Sequence, residues 1–519
     1  MNDASKAQFE RIAKEGHRHY EANTDFAYLW EPLVAENTFL TKEKDAAPLP
    51  TYEESVPLLP ELVWEGRPEA VACYHTAWKI AFGNLRSPQD YDGMVSNFID
   101  TAFNDHLFMW DSSFITMFGK YGVHAFNFQR TLDNFYARQH MDGFICRELA
   151  EKVKGDQFHR FDPVSTGPNI LAWTEWESFL VTGDTERIAA VFPPLLAYHL
   201  WLKQYRTWPD GTYWSTGWAC GMDNQPRQQP GVSDTYHHGH MVWADTCIQQ
   251  IISCQMLIRM AALIGREKDV QALREEEAAL TDVVNRKLWN DEDAFYYDLW
   301  PNGEQNKVKS IGAYWALLAG IVPEHRLDAF IAHLENPKEF NRPHPIPSLS
   351  ADHPLYDENG GYWRGGVWSP TNYMVLKGLE KYGYHRLAAE IAERHVRAVF
   401  NVYKATGTLW ENYAPEHSKP GDPAKDHFVG WAGLSPIAMV IEYVFGIHSN
   451  TKDRIITWHI HRTDRHGVVR YPLGDACVDL ICPARREGEK PLIEARSDIP
   501  LTLRVVWPDG ETTVQDIMP

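Results

Sequence analysis

From about residue 67 to 450 this chain alternates amphipathic stretches, most of them about 12–20 residues long, with aromatic, glycine-rich loops. The stretches come in pairs, one mostly apolar and the next more charged. Segment 169–181 is followed by 185–205, and segment 244–264 by 267–288. A short glycine-containing turn joins each pair, Thr182-Gly183-Asp184 in the first and Gly265-Arg266 in the second. Segments 371–382, 385–400 and 432–445 carry the same helical pattern, with 314–319 and 326–333 as shorter examples. A helix buried on all sides reads as apolar, and the helix that covers it reads as amphipathic. Paired alternation therefore predicts a mainly α fold, an (α/α)6 barrel with an inner and an outer ring of helices. A generic bundle has no need of long aromatic loops at every second connection.

The flanks differ. Residues 1–66 combine a helical pattern near 7–22 with a proline-rich stretch at Pro48, Pro50, Pro57 and Pro60, which predicts a helix and an extended arm on the barrel of 67–450. Beyond Ser449, segments 454–460, 476–481 and 500–507 alternate or run β-branched, and Pro508-Asp509-Gly510 is a turn signal. These predict a small, sandwich-like antiparallel β-domain over 451–519, with a structural role.

Charge narrows the partners. Asp and Glu number 70 against 50 Lys and Arg, a net charge of −20, whereas binding to phosphates needs a basic face. A nucleic-acid partner is not expected. No stretch approaches ~20 apolar residues, so no membrane span is expected either. The N-terminal residues lack a basic segment followed by an apolar one, so no secretory signal is expected. The seven cysteines are sparse and form no CxxC pair, which fits buried, reduced thiols and a cytoplasmic protein.

Aromatic residues are abundant at 13%, and many fall in loops, as in 208–214 and 361–368. Two acidic segments lie among them. In one, Asp223 follows Gly221-Met222 and precedes Asn224, near Trp218 and Arg227. In the other, Glu411 stands between Trp410 and Asn412-Tyr413. Cleaving a glycosidic bond takes two carboxyl groups, one to protonate the leaving oxygen and one to activate water. Sugar rings also need aromatic faces around them. The residues therefore point to a glycoside hydrolase without a cofactor, acting on a small sugar substrate. Other uses of the same residues are an Asx turn at Asp223, a solvated carboxylate at Glu411 with Glu416 as substitute, and a helix N-cap at Asp111.

Several motifs occur in a fixed order: Trp110-Asp111 with 112–114; the run 142–148 with Arg147-Glu148; Gly221-Met222-Asp223-Asn224; Tyr362-Trp363-Arg364-Gly365-Gly366-Val367-Trp368; and Trp410-Glu411-Asn412-Tyr413. Over about 100–450 the chain resembles the inverting α-glycosidases of glycoside hydrolase family 63. It is especially similar to bacterial mannosylglycerate and glucosylglycerate hydrolases, and more distantly to trehalases. The resemblance implies that Asp223 is the general acid, that Glu411 is the general base and that Asp111 binds hydroxyls of the ring being cleaved. Phe108, Trp110, Trp218, Arg227, Tyr362, Trp363, Arg364 and Trp410 are implied around the substrate. Gln129, Trp173, Glu148 and Glu175 are further candidates. The expected substrate is a small α-glucoside or α-mannoside, such as glucosylglycerate, mannosylglycerate or a short disaccharide. The chain departs from its relatives at Thr166-Gly167-Pro168-Asn169 and at Gly365-Gly366, and both departures bear on the substrate more than on the reaction.

His237, His238 and His240 form a dense cluster without the spacing of a metal site. They are expected, with Asp234 and Tyr236, in a loop over the cleft, and no metal is expected. Two alternative functions use the same features. A sugar epimerase would take acid and base from this histidine cluster, and a non-catalytic protein would keep the aromatic cleft for binding alone.

Overall fold

The sequence-predicted pairs fold as helices joined by tight turns. The computed structural model describes residues 31–45, 47–227 and 236–519, so the helical pattern near 7–22 and Asp234 lie outside the described residues. The helices are α1 (Pro68–Gly83), α2 (Met109–Gly119), α3 (Arg130–Tyr136), α4 (Leu171–Thr182), α5 (Thr185–Tyr205), α6 (Ala244–Ile264), α7 (Gln271–Val283), α8 (Trp315–Ala319), α9 (Glu324–Glu335), α10 (Ser369–Lys381), α11 (His385–Thr406) and α12 (Ser435–Phe445). The last is wound with wider, π-type turns. Gly183 adopts a φ of +68° and ends α4, and Asp184 then caps α5 by accepting from the Arg187 amide at 2.8 Å.

The apolar members touch in sequence order. Helix α2 packs on α4, α4 on α6, α6 on α8, α8 on α10, α10 on α12, and α12 on α2. The more charged members lie against them: α5 on α4 and α6, α7 on α6, and α11 on α10 and α12. Helix α1 joins α11 and α12. Aromatic rings fill the space where α2, α4, α8 and α10 face one another. Trp173 lies 5.7 Å from Trp315 and 6.3 Å from Tyr373 between ring centroids, and Trp110 lies 6.2 Å from Trp315. Buried charges on α4, α10 and α12, and Lys120 just beyond α2, compensate one another. Lys377 reaches Glu177 at 2.9 Å and Glu442 at 3.2 Å, and Lys120 reaches Glu442 at 3.0 Å.

One expectation needs correction here. Helix α6 is long and apolar enough, by length and composition, to cross a membrane. Its surroundings explain this: α4, α5, α7 and α8 all pack on it, most of it is buried, and Asp245 in its first turn binds Arg227. A helix enclosed on every side is selected for apolarity by the protein interior itself.

The β-region contains two four-stranded sheets built from β1 (Glu61–Trp64), β2 (Ile447–Asn450), β3 (Ile455–His459), β4 (His466–Leu473), β5 (Ala476–Cys482), β6 (Glu494–Ser497), β7 (Leu501–Val506) and β8 (Thr512–Ile517). One sheet has the order β1-β4-β5-β6 and is antiparallel throughout. The other has the order β2-β3-β7-β8, and its β3–β7 pair is parallel, which corrects the expected all-antiparallel domain. A parallel pair needs a long crossover, and here the chain leaving β3 builds β4, β5 and β6 of the first sheet before returning as β7. Strand β1 comes from the N-terminal arm, so the arm is part of this region. The sheets rest on the helices through Trp458, whose indole donates to the Phe445 carbonyl at 2.7 Å, and through Thr451, whose amide donates to Leu180 at 3.0 Å.

Candidate active site

Loops at the ends of these helices enclose a cavity of about 430 Å³. Of the residues singled out in the sequence, Phe108, Trp110, Asp111, Glu148, Trp218, Asp223, Tyr236, Tyr362, Trp363 and Glu411 line it.

Asp111 stands in the first turn of α2, which begins at Met109 with no side-chain cap. It is therefore not the N-cap of a helix starting at Ser112, and its carboxyl remains available to the cavity. Burial, then the charges of Glu411 and Glu148, hold that carboxyl protonated well above the usual range.

Asp223 lies on the loop between α5 and α6. Gly221 lets this loop lie against Trp110: its φ is +76°, and a Cβ there would meet the indole at 3.3 Å. Asn224 ties the loop to segment 360–368 by accepting from the Trp363 amide at 2.8 Å and donating to the Gly361 carbonyl at 3.0 Å. Burial raises Asp223 to about 6, against the opposing charge of Arg147.

Glu411 is held from three sides. Tyr362 donates its hydroxyl to Oε1 at 3.1 Å, the Lys425 amide donates to Oε2 at 3.2 Å, and the Trp431 indole donates to the Glu411 carbonyl at 2.7 Å. Burial raises its carboxyl to about 7, the Asp223 charge adds to this, and the Lys425 amide and Tyr362 hydroxyl oppose it.

The walls are aromatic. Trp363 stacks flat on Trp368, with centroids 3.9 Å apart and planes within 2°. Trp218 packs against Tyr236 at 4.7 Å. The Arg147 guanidinium lies 5.0 Å from the Phe158 ring and 5.4 Å from that of Trp218, and pairs with Glu148 at 3.3 Å. Glu148 also meets His106 Nδ1 at 2.5 Å. The cavity thus offers carboxyl groups on separate loops, two of them with proton affinities near neutrality, among flat apolar faces. Such a site can give a proton to one side of a sugar ring while taking one from water on another.

Six of the implied or further candidate substrate residues lie elsewhere. Arg227 is locked between Asp245 at 2.6 Å and Asp298 at 2.7 Å, and binds two elements of the fold together. Trp173 belongs to the aromatic packing between helices and donates to Glu177 at 3.2 Å. Gln129 bonds Glu175 at 3.3 Å, and Glu175 is itself held by Arg187 at 2.7 Å and Tyr136 at 2.9 Å, so neither reaches the cavity. Arg364 is exposed outside the cavity, and the Trp410 indole donates to Thr406 at 3.1 Å. Glu416 pairs with Arg342 at 2.6 Å, which removes it as a substitute for Glu411. Several lining residues were not singled out: Phe103, His106, Phe158, Phe428 and Trp431.

The histidine cluster also lies outside the lining, although its ligand atoms come within 4.8 Å of one another. His237 Nδ1 accepts from the Gly239 amide and His238 Nδ1 from the His240 amide, each at 2.9 Å. In a metal-bound imidazole the second nitrogen carries a proton and donates it to an acceptor. With Nδ1 accepting, His237 and His238 carry their proton on Nε2 and do not present that nitrogen to a metal. A second buried group, His199, Cys254 and Glu276, is occupied internally, with Glu276 bonded to Tyr213 at 2.6 Å and Lys203 at 2.9 Å.

The carboxyl-lined aromatic cavity, with the family match over residues 104–432, makes this chain a glycoside hydrolase acting on small glycosides. A family model described as the mannosylglycerate hydrolase MGH1-like glycoside hydrolase domain matches residues 104–432, and the chain belongs to that family. It is similar to the mannosylglycerate hydrolase of Thermus thermophilus, with 25% identity over 354 residues, covering 54% of this chain and 83% of that one. The crystal structure of a family 63 mannosylglycerate hydrolase from Thermus thermophilus, in complex with Tris and D-glycerate, matches with a TM-score of 0.59 and 21% identity, covering 70% of this chain and 99% of that one. A family 78 rhamnosidase of Bacillus sp. GL1 matches with a TM-score of 0.62 and 14% identity, over 87% of this chain and 43% of the other. These two structural likenesses concern the fold.

Proposed function

We propose that this protein hydrolyses the α-glycosidic bond of a small α-glucoside or α-mannoside with inversion, using Asp223 as general acid and Glu411 as general base. The observation that carries the reading is that both carboxyls line one aromatic cavity and are buried enough to titrate near neutral pH. Asp223 gives its proton to the glycosidic oxygen as the bond to the anomeric carbon breaks. Glu411 takes a proton from a water that attacks that carbon on the opposite face. The products are a β-configured sugar and the free aglycone, and exchange with solvent returns a proton to Asp223 and removes the one gained by Glu411. Inversion needs room for the water, roughly 6.5–9.5 Å between the two carboxyl groups. Tyr362 orients Glu411, and Asp111 accepts hydrogen bonds from ring hydroxyls. A volume near 430 Å³ suits one ring with a short aglycone.

The reading includes an (α/α)6 toroid. The cyclic contacts of α2, α4, α6, α8, α10 and α12 support it, as do the aromatic and charged side chains that meet between them.

Proton NMR of the protein with a panel of α-glucosides and α-mannosides, including the glycerates and trehalose, tests the reaction. The β-anomer should appear first. An α-anomer appearing first would remove the water-activating role from Glu411. On the substrate so found, Asp223→Asn and Glu411→Gln should each lower kcat by about 10²–10⁴ while leaving Tm nearly unchanged. Near-normal turnover by Asp223→Asn would reject it as the acid.

A further inference from the structure

Lys425 contacts two residues of the cavity wall, Glu411 and Phe103. Its backbone pairs with Glu411: the Glu411 amide donates to the Lys425 carbonyl at 2.9 Å, and the Lys425 amide donates to Glu411 Oε2 at 3.2 Å. Its side chain runs the other way. The ammonium donates to the Phe103 carbonyl at 2.8 Å and lies 5.3 Å from the centre of the Phe103 ring. Phe103 sits between the short strands Phe98–Ile99 and His106–Phe108, is 45% exposed and lines the cavity. The neighbouring Ala102 adopts a φ of +64°, a left-handed conformation that a non-glycine residue keeps only when its surroundings impose it. Here the Asp100 carboxylate accepts from the Ala102 amide at 2.8 Å.

We propose that Lys425 is a positioning residue that clamps segment 100–105 to the Glu411 loop, so that closing the rim over a sugar and aligning Glu411 are one event. A base must be held close to its productive geometry by residues that are themselves fixed, and Lys425 is fixed at both ends. Its positive charge, a smaller effect than burial, also favours the ionised form of Glu411. The inference rests on the reading of Glu411 as the base.

Amide hydrogen exchange on the full chain without substrate tests the clamp apart from the reaction. Lys425→Met should speed exchange in 100–105 by about tenfold, and Lys425→Arg should restore it. On the substrate identified by NMR, Lys425→Met should also raise KM by about fivefold and move the alkaline limb of the pH profile upward. Phe103→Ala keeps the carbonyl–ammonium bond, so it should raise KM and leave that limb in place. Unchanged exchange in Lys425→Met overturns the clamp. Faster exchange with kcat, KM and pH profile unaltered overturns its link to Glu411. If the parent enzyme turns over no α-glycoside, the base assignment falls, and the exchange result alone still decides the clamp.

Discussion

Asp223 and Glu411 carry proton affinities set mainly by burial, about 6 and about 7. The proposed roles require the proton on Asp223 and a bare Glu411, and because the two groups titrate close together the singly protonated free enzyme divides between this form and the one with the proton on Glu411. Below about 6 both groups bind protons, and above about 7 both are ionised. Only between these limits does the pair share one proton. The plot of kcat/KM against pH should therefore be a narrow bell with limbs near 6 and 7. A flat profile from about pH 5 to 9 would show that this pair does not carry the chemistry.

At the scale of elements, Arg227 joins the Asp223 loop to the start of α6 and to the hairpin strand at Asp298. Replacing it by Met leaves two buried carboxylates unpaired, which should cost about 3–5 kcal/mol of stability, read as a lower denaturant midpoint. A change below about 1 kcal/mol would mean that the pair is not the anchor. Arg227 also marks a boundary of what the sequence reveals. An arginine beside an acidic motif reads equally as a substrate contact or as an ion pair, because the chemistry of the residue is the same in both. Helices α5 and α6 were legible to the residue because Asp184, Gly183 and Gly265 write their ends locally. Helix α2 was read only as a helix starting at Ser112 behind an Asp111 cap, because every position in it is buried, polar ones included, and no exposed face sets its period. Asp223, Glu411 and Asp111 were legible because each stands in a short motif of distinctive composition. His106 and Trp431 line the cavity, and Lys425 contacts its wall, through pairings between distant segments such as Trp410 with Asp426, which leave no local sign.

At the scale of the whole molecule, the β-region is joined to the helices by apolar contacts. Trp458 is fully buried between β3 and the end of α12. Trp458→Ala should cost about 3–5 kcal/mol, seen as a lower Tm, while kcat well below that temperature stays normal. A Tm within a degree of the parent would make the sheets a separate appendage. Strand β1 adds a different consequence. Its Trp64 bonds Asp464, 400 residues further along the chain. On a ribosome adding about 5–20 residues per second, β1 waits on the order of 20–80 s for its partner to be made. Through that interval its edge stands open to other strands. The nascent chain therefore needs shielding early, by a chaperone or by its own helices, long before the catalytic loops exist to be protected.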